Sequence, residues 1–123
     1  MSDQEINCLV AKQFPETYLF NEEGNPYQLI PDSMAAYSGS DFDEVEFQPC
    51  GNPADAWPII VDNRISIYSM SVTDARGRWG AEAPHPHDAY HFNDNPLRAS
   101  MLVFLKMQES ANVPANSTGS DLR

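Results

Sequence analysis

The chain has 123 residues, about the size of one domain, and it carries 18 acidic against 7 basic side chains, for a formal net charge of −11 at pH 7. This balance argues against direct binding of nucleic acid, because Lys and Arg contacts to phosphates supply most of that affinity. No apolar run is long enough to span a bilayer, and no basic segment precedes an apolar one at the start, so we expect a soluble protein without a secretory leader. Two cysteines, Cys8 and Cys50, are too few for a disulfide framework, and we expect them to be reduced.

Two of three predicted helices lie in the first half of the chain. Ser2 and Glu5 match a capping box, and helical spacing of apolar residues predicts a helix over 3–14, ended by Pro15. The second helix is predicted over 56–62 with Asp55 as its cap, since an earlier start would place Pro58 in the interior. We expect its inward side chains to be Trp57, Ile60 and Val61, and its last turn to close with a left-handed Asn63.

The third helix has the clearest start. Asn95 is a suitable N-cap and Pro96 suits the first helical position. Apolar residues then lie on so many sides that this helix should be largely buried.

Strands are predicted from alternation and from turn residues between them. A first hairpin is expected over 17–20 and 27–30, a half-buried strand over 43–47, and a second hairpin over 64–70 and 78–83. Residues 31–40 and 83–94 are expected to be irregular.

Together these elements predict an α+β fold, in which a small antiparallel sheet packs against two to three helices. The C-terminal helix should lie between the first helix and the sheet, with the second helix covering an edge. We expect one globular domain over 1–110 and a flexible polar tail over 111–123, since the tail has too few apolar residues to offset its ordering entropy.

Acidic residues concentrate before Gly51, where Lys12 is the only base. Asp41, Asp43, Glu44 and Glu46 form the densest run and would suit a basic protein partner. Such a run is more often a solvated strand edge that resists aggregation.

Three histidines, His85, His87 and His91, form the one cluster with metal-ligand composition. The spacing of His87 and His91 occurs in zinc sites, but no Cys-x-x-Cys pair accompanies them. We therefore predict solvated or hydrogen-bonded histidines and no metal.

A set of aromatic and basic residues could stack a base and hold a phosphate: Trp57, Tyr68 and Trp79 with Arg64, Arg78 and Arg98, next to Asp55. Tryptophans in so small a domain more often belong to the core. No nucleophile elbow, zinc-protease helix, P-loop or dinucleotide-binding glycine motif is present, so catalysis is unsupported and no cofactor is expected.

Several blocks of the sequence resemble the NinX-type proteins of tailed-phage accessory regions. They comprise residues 2–7 and 10–12, the central 52–67, a later Trp79, and 95–99. The shared positions include Asp55, Trp57 and Pro58. The resemblance implies a phage or prophage gene product of the host bacterial cytoplasm, from a family that supplies no catalytic residues.

These observations predict a non-enzymatic phage accessory protein. It would bind and inhibit a host factor, such as a protein of host defence or of nucleic-acid metabolism. The alternative is a small-ligand binder that sequesters a nucleotide signal. Direct contact with nucleic acid or membrane is not expected. The sequence is compatible with a monomer and with a homo-oligomer.

Overall fold

The computed structural model describes residues 1–31 and 42–112, which form three helices and two three-stranded antiparallel sheets. The elements in chain order are α1 (Asp3–Ala11), β1 (Leu19–Phe20), β2 (Pro26–Pro31), β3 (Phe42–Glu46), α2 (Pro53–Asp62), β4 (Ser66–Ser69), β5 (Trp79–Glu82), β6 (Tyr90–Asn93) and α3 (Pro96–Asn112). The predicted α+β class is confirmed. The single predicted sheet is replaced by two.

Helix α1 begins with the predicted capping box. The Ser2 hydroxyl accepts the Glu5 backbone N–H at 3.1 Å, and the Glu5 carboxylate accepts the Ser2 N–H at 2.9 Å. The regular helix ends at Ala11, earlier than predicted. The Phe14 backbone N–H bonds to the Ala11 carbonyl, three residues before it, so the chain continues in a turn tighter than an α-helix.

Helix α2 corrects the prediction for this segment. It begins at Pro53, with the Asn52 side chain accepting the Ala54 N–H at 3.1 Å, so Asn52 and not Asp55 is the cap and Pro58 lies in the interior. Its exposed side chains include Trp57, which is 61% exposed, and Val61, so the expectation that both face inward is wrong.

The end of α2 also differs from the prediction. Asn63 keeps φ at −99°, and Arg64 takes the left-handed conformation with φ at 55°. The Ile65 N–H then bonds back to the Ile60 carbonyl at 3.0 Å, which closes the last turn.

Helix α3 starts as predicted, since the Asn95 side-chain oxygen accepts the Leu97 N–H at 2.9 Å and its amide donates to the Cys50 carbonyl at 2.7 Å. It packs against α1, α2 and all three strands of the second sheet, and Met101 and Val103 are fully buried. The prediction of a largely buried C-terminal helix is confirmed. The helix runs to Asn112 and so includes the first two residues of the predicted tail, 111 and 112. Residues 113–123 of the predicted tail lie outside the described residues.

The second sheet has the strand order β4-β5-β6, in which Ile67 lies opposite Ala81 and Ala81 opposite His91. Strand β6 lies in a segment predicted to be irregular. The face that carries the fully buried Ala81 packs on α3.

The first sheet has the order β1-β2-β3 and lies at the margin of the core. Its β2 strand contacts α1, and Phe47, the residue after β3, is buried. Buried residues of the helices and of the second sheet form one core cluster with Phe47. The described part of the chain contains no helix long and apolar enough to cross a bilayer.

Candidate binding surface

The β1-β2-β3 sheet exposes large apolar side chains on both of its faces. Six of them are between 40% and 51% exposed: Leu19, Phe20, Leu29, Ile30, Phe42 and Val45. By register, Leu19, Leu29 and Phe42 share one face, and Phe20, Ile30 and Val45 share the other. Several large exposed apolar side chains in one small sheet often mark an interaction site. The sheet is therefore the first candidate for contact with a partner.

The acidic residues of β3 divide between the two faces of this sheet. Glu44 lies opposite Leu29, and Glu46 opposite Tyr27, so both glutamates share the face away from the buried Phe47. Asp43 lies opposite Ile30 on the other face. The strand over 43–47 was predicted to be half-buried. In the structure every residue of β3 is exposed, including Val45 at 42%, and within the predicted range Phe47 is buried. Asp41 lies outside the described residues.

Two glutamates that sequence reasoning did not assign to this site join it in the structure. Glu22 and Glu23, in the turn between β1 and β2, line an open depression of about 620 Å³ together with Glu44 and the rings of Phe20 and Tyr27. No base lies in β1, β2, β3 or the 21–25 turn. The sequence did predict a hairpin turn that contains these two residues. That turn is the sequence feature that could have assigned them to this site.

An adjoining depression of about 630 Å³ extends the acidic region toward α1. Its acidic lining residues are Asp3, Glu23 and Glu46. Asp3 is already paired with the Arg98 guanidinium. Besides Asp43 of β3, the negative charge nearest to the sheet is carried by Glu22, Glu23, Glu44 and Glu46. These four glutamates and the six exposed apolar residues are together called the acidic sheet.

The residues predicted for a nucleotide pocket lie in different parts of the fold. Trp57 is on the outer side of α2, and Arg64 is exposed at its end. Arg98 lies at the start of α3, where its guanidinium donates hydrogen bonds to the Asp3 carboxylate and to the Met1 carbonyl. Arg78 is exposed next to β5.

The two remaining aromatic residues of that set project to opposite faces of the second sheet. Tyr68 lies opposite Gly80, whereas Trp79, one residue earlier, shares a face with the buried Ala81. The structure therefore does not bring these side chains together.

The histidines also separate. His85 and His87 are exposed, while His91 lies on β6 opposite Ala81, on the face toward α3. Burial lowers the pKa of His91, and the nearby charges of Lys106 and Arg98 lower it further. Within residues 1–31 and 42–112, no group of three or more His, Cys, Asp or Glu side chains is arranged to hold a metal. That the histidines bind no metal stays a prediction.

A cleft of about 410 Å³ was not predicted from the sequence. Its lining includes Phe14, Tyr18 and Phe104, together with Asp55 and Asp62 of α2. The Phe14 ring stacks on Phe104 with centroids 5.7 Å apart and meets Tyr18 edge-on at 6.2 Å. Asp55 is the one residue of the predicted nucleotide set that lines this cleft.

Asp55 is held in place at the cleft wall. Its carboxylate accepts the Gln48 backbone N–H at 2.8 Å. Burial raises the pKa of Tyr18, and the negative charge of Asp55 raises it further. A carboxylate and a phenol that remains protonated thus both line the cleft.

The fold and its surface define a small acidic α+β protein that presents an exposed, negatively charged apolar sheet. A family model described as "Bacteriophage P22, NinX" matches residues 1–108, so the chain belongs to the NinX family of phage proteins, as the sequence resemblance implied. This supports its assignment as a phage accessory protein. No curated protein and no solved structure matches the chain.

Proposed function

We propose that this phage accessory protein acts in the host cytoplasm by binding a host protein with a basic surface, and that it inhibits that protein by covering the surface. The observation that carries the proposal is the acidic sheet, where exposed apolar side chains lie beside glutamates and without a base in its strands. Apolar area supplies affinity when it is buried, and the surrounding charges select the partner and speed encounter.

The same charges disfavour self-association through this sheet. Strand β3 is the last strand in the order β1-β2-β3. If two copies paired along β3, Asp43, Glu44 and Glu46 of each chain would meet the same acids, and like charges across strands are destabilising. A basic partner would remove this repulsion. The sheet thus favours a different protein over a second copy.

The first step of the test is to identify the partner by affinity capture from lysate of the bacterial host. Association of the purified pair is then measured at increasing ionic strength. Charges separated by more than about 8 Å are largely screened at physiological salt. The association rate should therefore fall as salt rises.

Charge reversal provides the second step. Glu44→Lys together with Glu46→Lys should weaken binding at least about tenfold while the fold is kept, since both side chains are exposed. The matched control is Asp88→Lys together with Glu109→Lys, which reverses two exposed acids outside the sheet and changes the net charge by the same amount. An affinity that is insensitive both to salt and to the two glutamate reversals would reject the proposal.

A further inference from the structure

The cleft beside α2 collects hydrogen-bond acceptors without any cation to pair with them. Two carboxylates, those of Asp55 and Asp62, line it, and no described residue of its lining is basic. A negatively charged wall over an apolar floor is suited to a positively charged ligand with an apolar stem. None of the residues of the acidic sheet lines this cleft.

The spacing of the two carboxylates indicates the length of the ligand. Asp55 and Asp62 lie on one side of α2, because seven residues complete almost two helical turns. At the rise of an α-helix they are about 10 Å apart along the axis. One ammonium group cannot contact both carboxylates, so the ligand needs two cationic groups at a similar distance.

Pro58 leaves a free backbone acceptor at the Asp55 end of the cleft. It lies in the helix interior and has no N–H to donate to the carbonyl of Ala54, four residues before it. Ala54 and Pro58 both line the cleft. The Ala54 carbonyl therefore lies at the cleft wall without its usual helical donor, and a ligand ammonium group can donate to it.

The aromatic floor suits the rest of such a ligand. Phe14 and Phe104 are stacked, and Tyr18 meets Phe14 edge-on. Phe104 is only 3% exposed and the Tyr18 ring stacks on Phe47, so the methylene groups of a ligand gain mainly from burial against the half-buried Phe14 and Tyr18. The volume of about 410 Å³ is within the range of small-molecule sites.

From these contacts we infer that the cleft between α2 and the Phe14–Phe104 stack is a binding site for a linear aliphatic polyamine. One terminal ammonium group contacts Asp55, the other contacts Asp62, and the alkyl chain lies over the aromatic floor. The site is independent of the host protein proposed above.

The test is calorimetric titration of the full chain with 1,8-diaminooctane and with spermidine, at about 0.15 M salt to screen general attraction to an acidic protein. We expect one molecule per chain. 1-Aminooctane, which has the same alkyl length and a single amine, should bind at least about tenfold more weakly, since a charge-assisted hydrogen bond is lost.

Substitutions locate the site. Asp55→Asn and Asp62→Asn should each weaken diamine binding about tenfold, and the amide oxygen introduced by Asp55→Asn still accepts the Gln48 N–H. Asp88→Asn removes the same charge from an exposed loop and should change the affinity less than about twofold. Pro58→Ala restores the donor to Ala54 and should weaken binding a few-fold without loss of fold.

The proposal would be overturned by no saturable binding of either polyamine, by equal affinity for the diamine and the monoamine, or by equal losses in Asp62→Asn and Asp88→Asn. Asp62 is exposed at the end of α2, so Asp62→Asn should fold normally. It therefore tests the site even if Asp55→Asn fails to fold. Saturable binding of a lysine- or arginine-containing peptide in place of the diamine would also count against a polyamine site.

Discussion

Gly77 packs so closely against Asn93 that a Cβ atom on residue 77 would lie 2.6 Å from the Asn93 backbone nitrogen. Its φ of 141° is in addition a conformation that residues with a side chain rarely adopt. The turn before β5 can approach the end of β6 this closely because residue 77 is glycine.

Gly77→Ala should lower the free energy of unfolding by about 2–4 kcal/mol, because overpacking against backbone adds to conformational strain. Urea unfolding followed by circular dichroism measures this difference. Gly51→Ala is the control, since φ there is not positive and no atom lies within 4 Å of the added Cβ, and its effect should stay within about 0.5 kcal/mol. Equal stability of the two variants would show that the β5 turn does not need glycine.

Local signals in the sequence predicted the helix starts at Ser2 and Asn95, because a cap depends on a side chain and an N–H two or three residues away. The start of α2 was missed because Pro58 was assumed to be incompatible with a helix interior. Packing of Ile59 and Ile60 into the core offsets the missing hydrogen bond. Strand β6 was missed because it is short and follows a segment rich in proline and histidine.

The candidate sites depend on contacts between distant segments, which periodicity does not report. Alternation over 43–47 implies that Glu44 and Glu46 point away from the face of Phe47, and the strand register agrees with this. The position of Glu22 and Glu23 beside Glu44 follows from strand pairing. In the same way, the proximity of Phe14 to Phe104 follows from how α1 and α3 pack.

The two cysteines should differ in reactivity, since they form no disulfide and Cys50 is fully buried while Cys8 is partly exposed. Burial raises the pKa of the Cys50 thiol to about 12, with a further contribution from the charge of Asp3. The thiolate is the reactive form. Ellman's reagent at pH 8 should therefore modify one thiol rapidly, and peptide mapping should identify it as Cys8.

Unfolding in urea should make the second thiol react as well, which serves as the control for reagent and stoichiometry. Rapid reaction of both thiols in the folded chain would mean that the segment around Cys50 opens readily.

Asp74 should titrate at unusually low pH. Hydrogen bonds from Arg76, whose guanidinium lies 2.9 Å from the carboxylate, lower the pKa of Asp74 to about 2. A carboxyl group whose pKa is lower in the folded state contributes stability above its unfolded pKa of about 3.9, and this contribution is lost as the pH falls toward 2.

Carboxyl-carbon NMR measures this titration directly. In Arg76→Gln the Asp74 midpoint should move up toward the ordinary range, because the charged donor is removed. Asp88 in the same spectra provides an exposed aspartate for comparison. If the Asp74 midpoint does not change in Arg76→Gln, the ion pair does not persist in solution.

Pro58→Ala should stabilise the protein. Proline in a helix interior is about 3 kcal/mol less favourable than alanine, whereas its rigidity in the unfolded chain returns up to about 1 kcal/mol, so we expect a net gain of about 2–3 kcal/mol. Pro53→Ala is the matched control, because Pro53 occupies the first turn of α2, where no N–H is needed, and its replacement should be neutral or slightly destabilising. Urea unfolding of both variants tests the difference. A loss of stability in Pro58→Ala would show that the proline ring contributes more to packing in the cleft than the helix loses at residue 58.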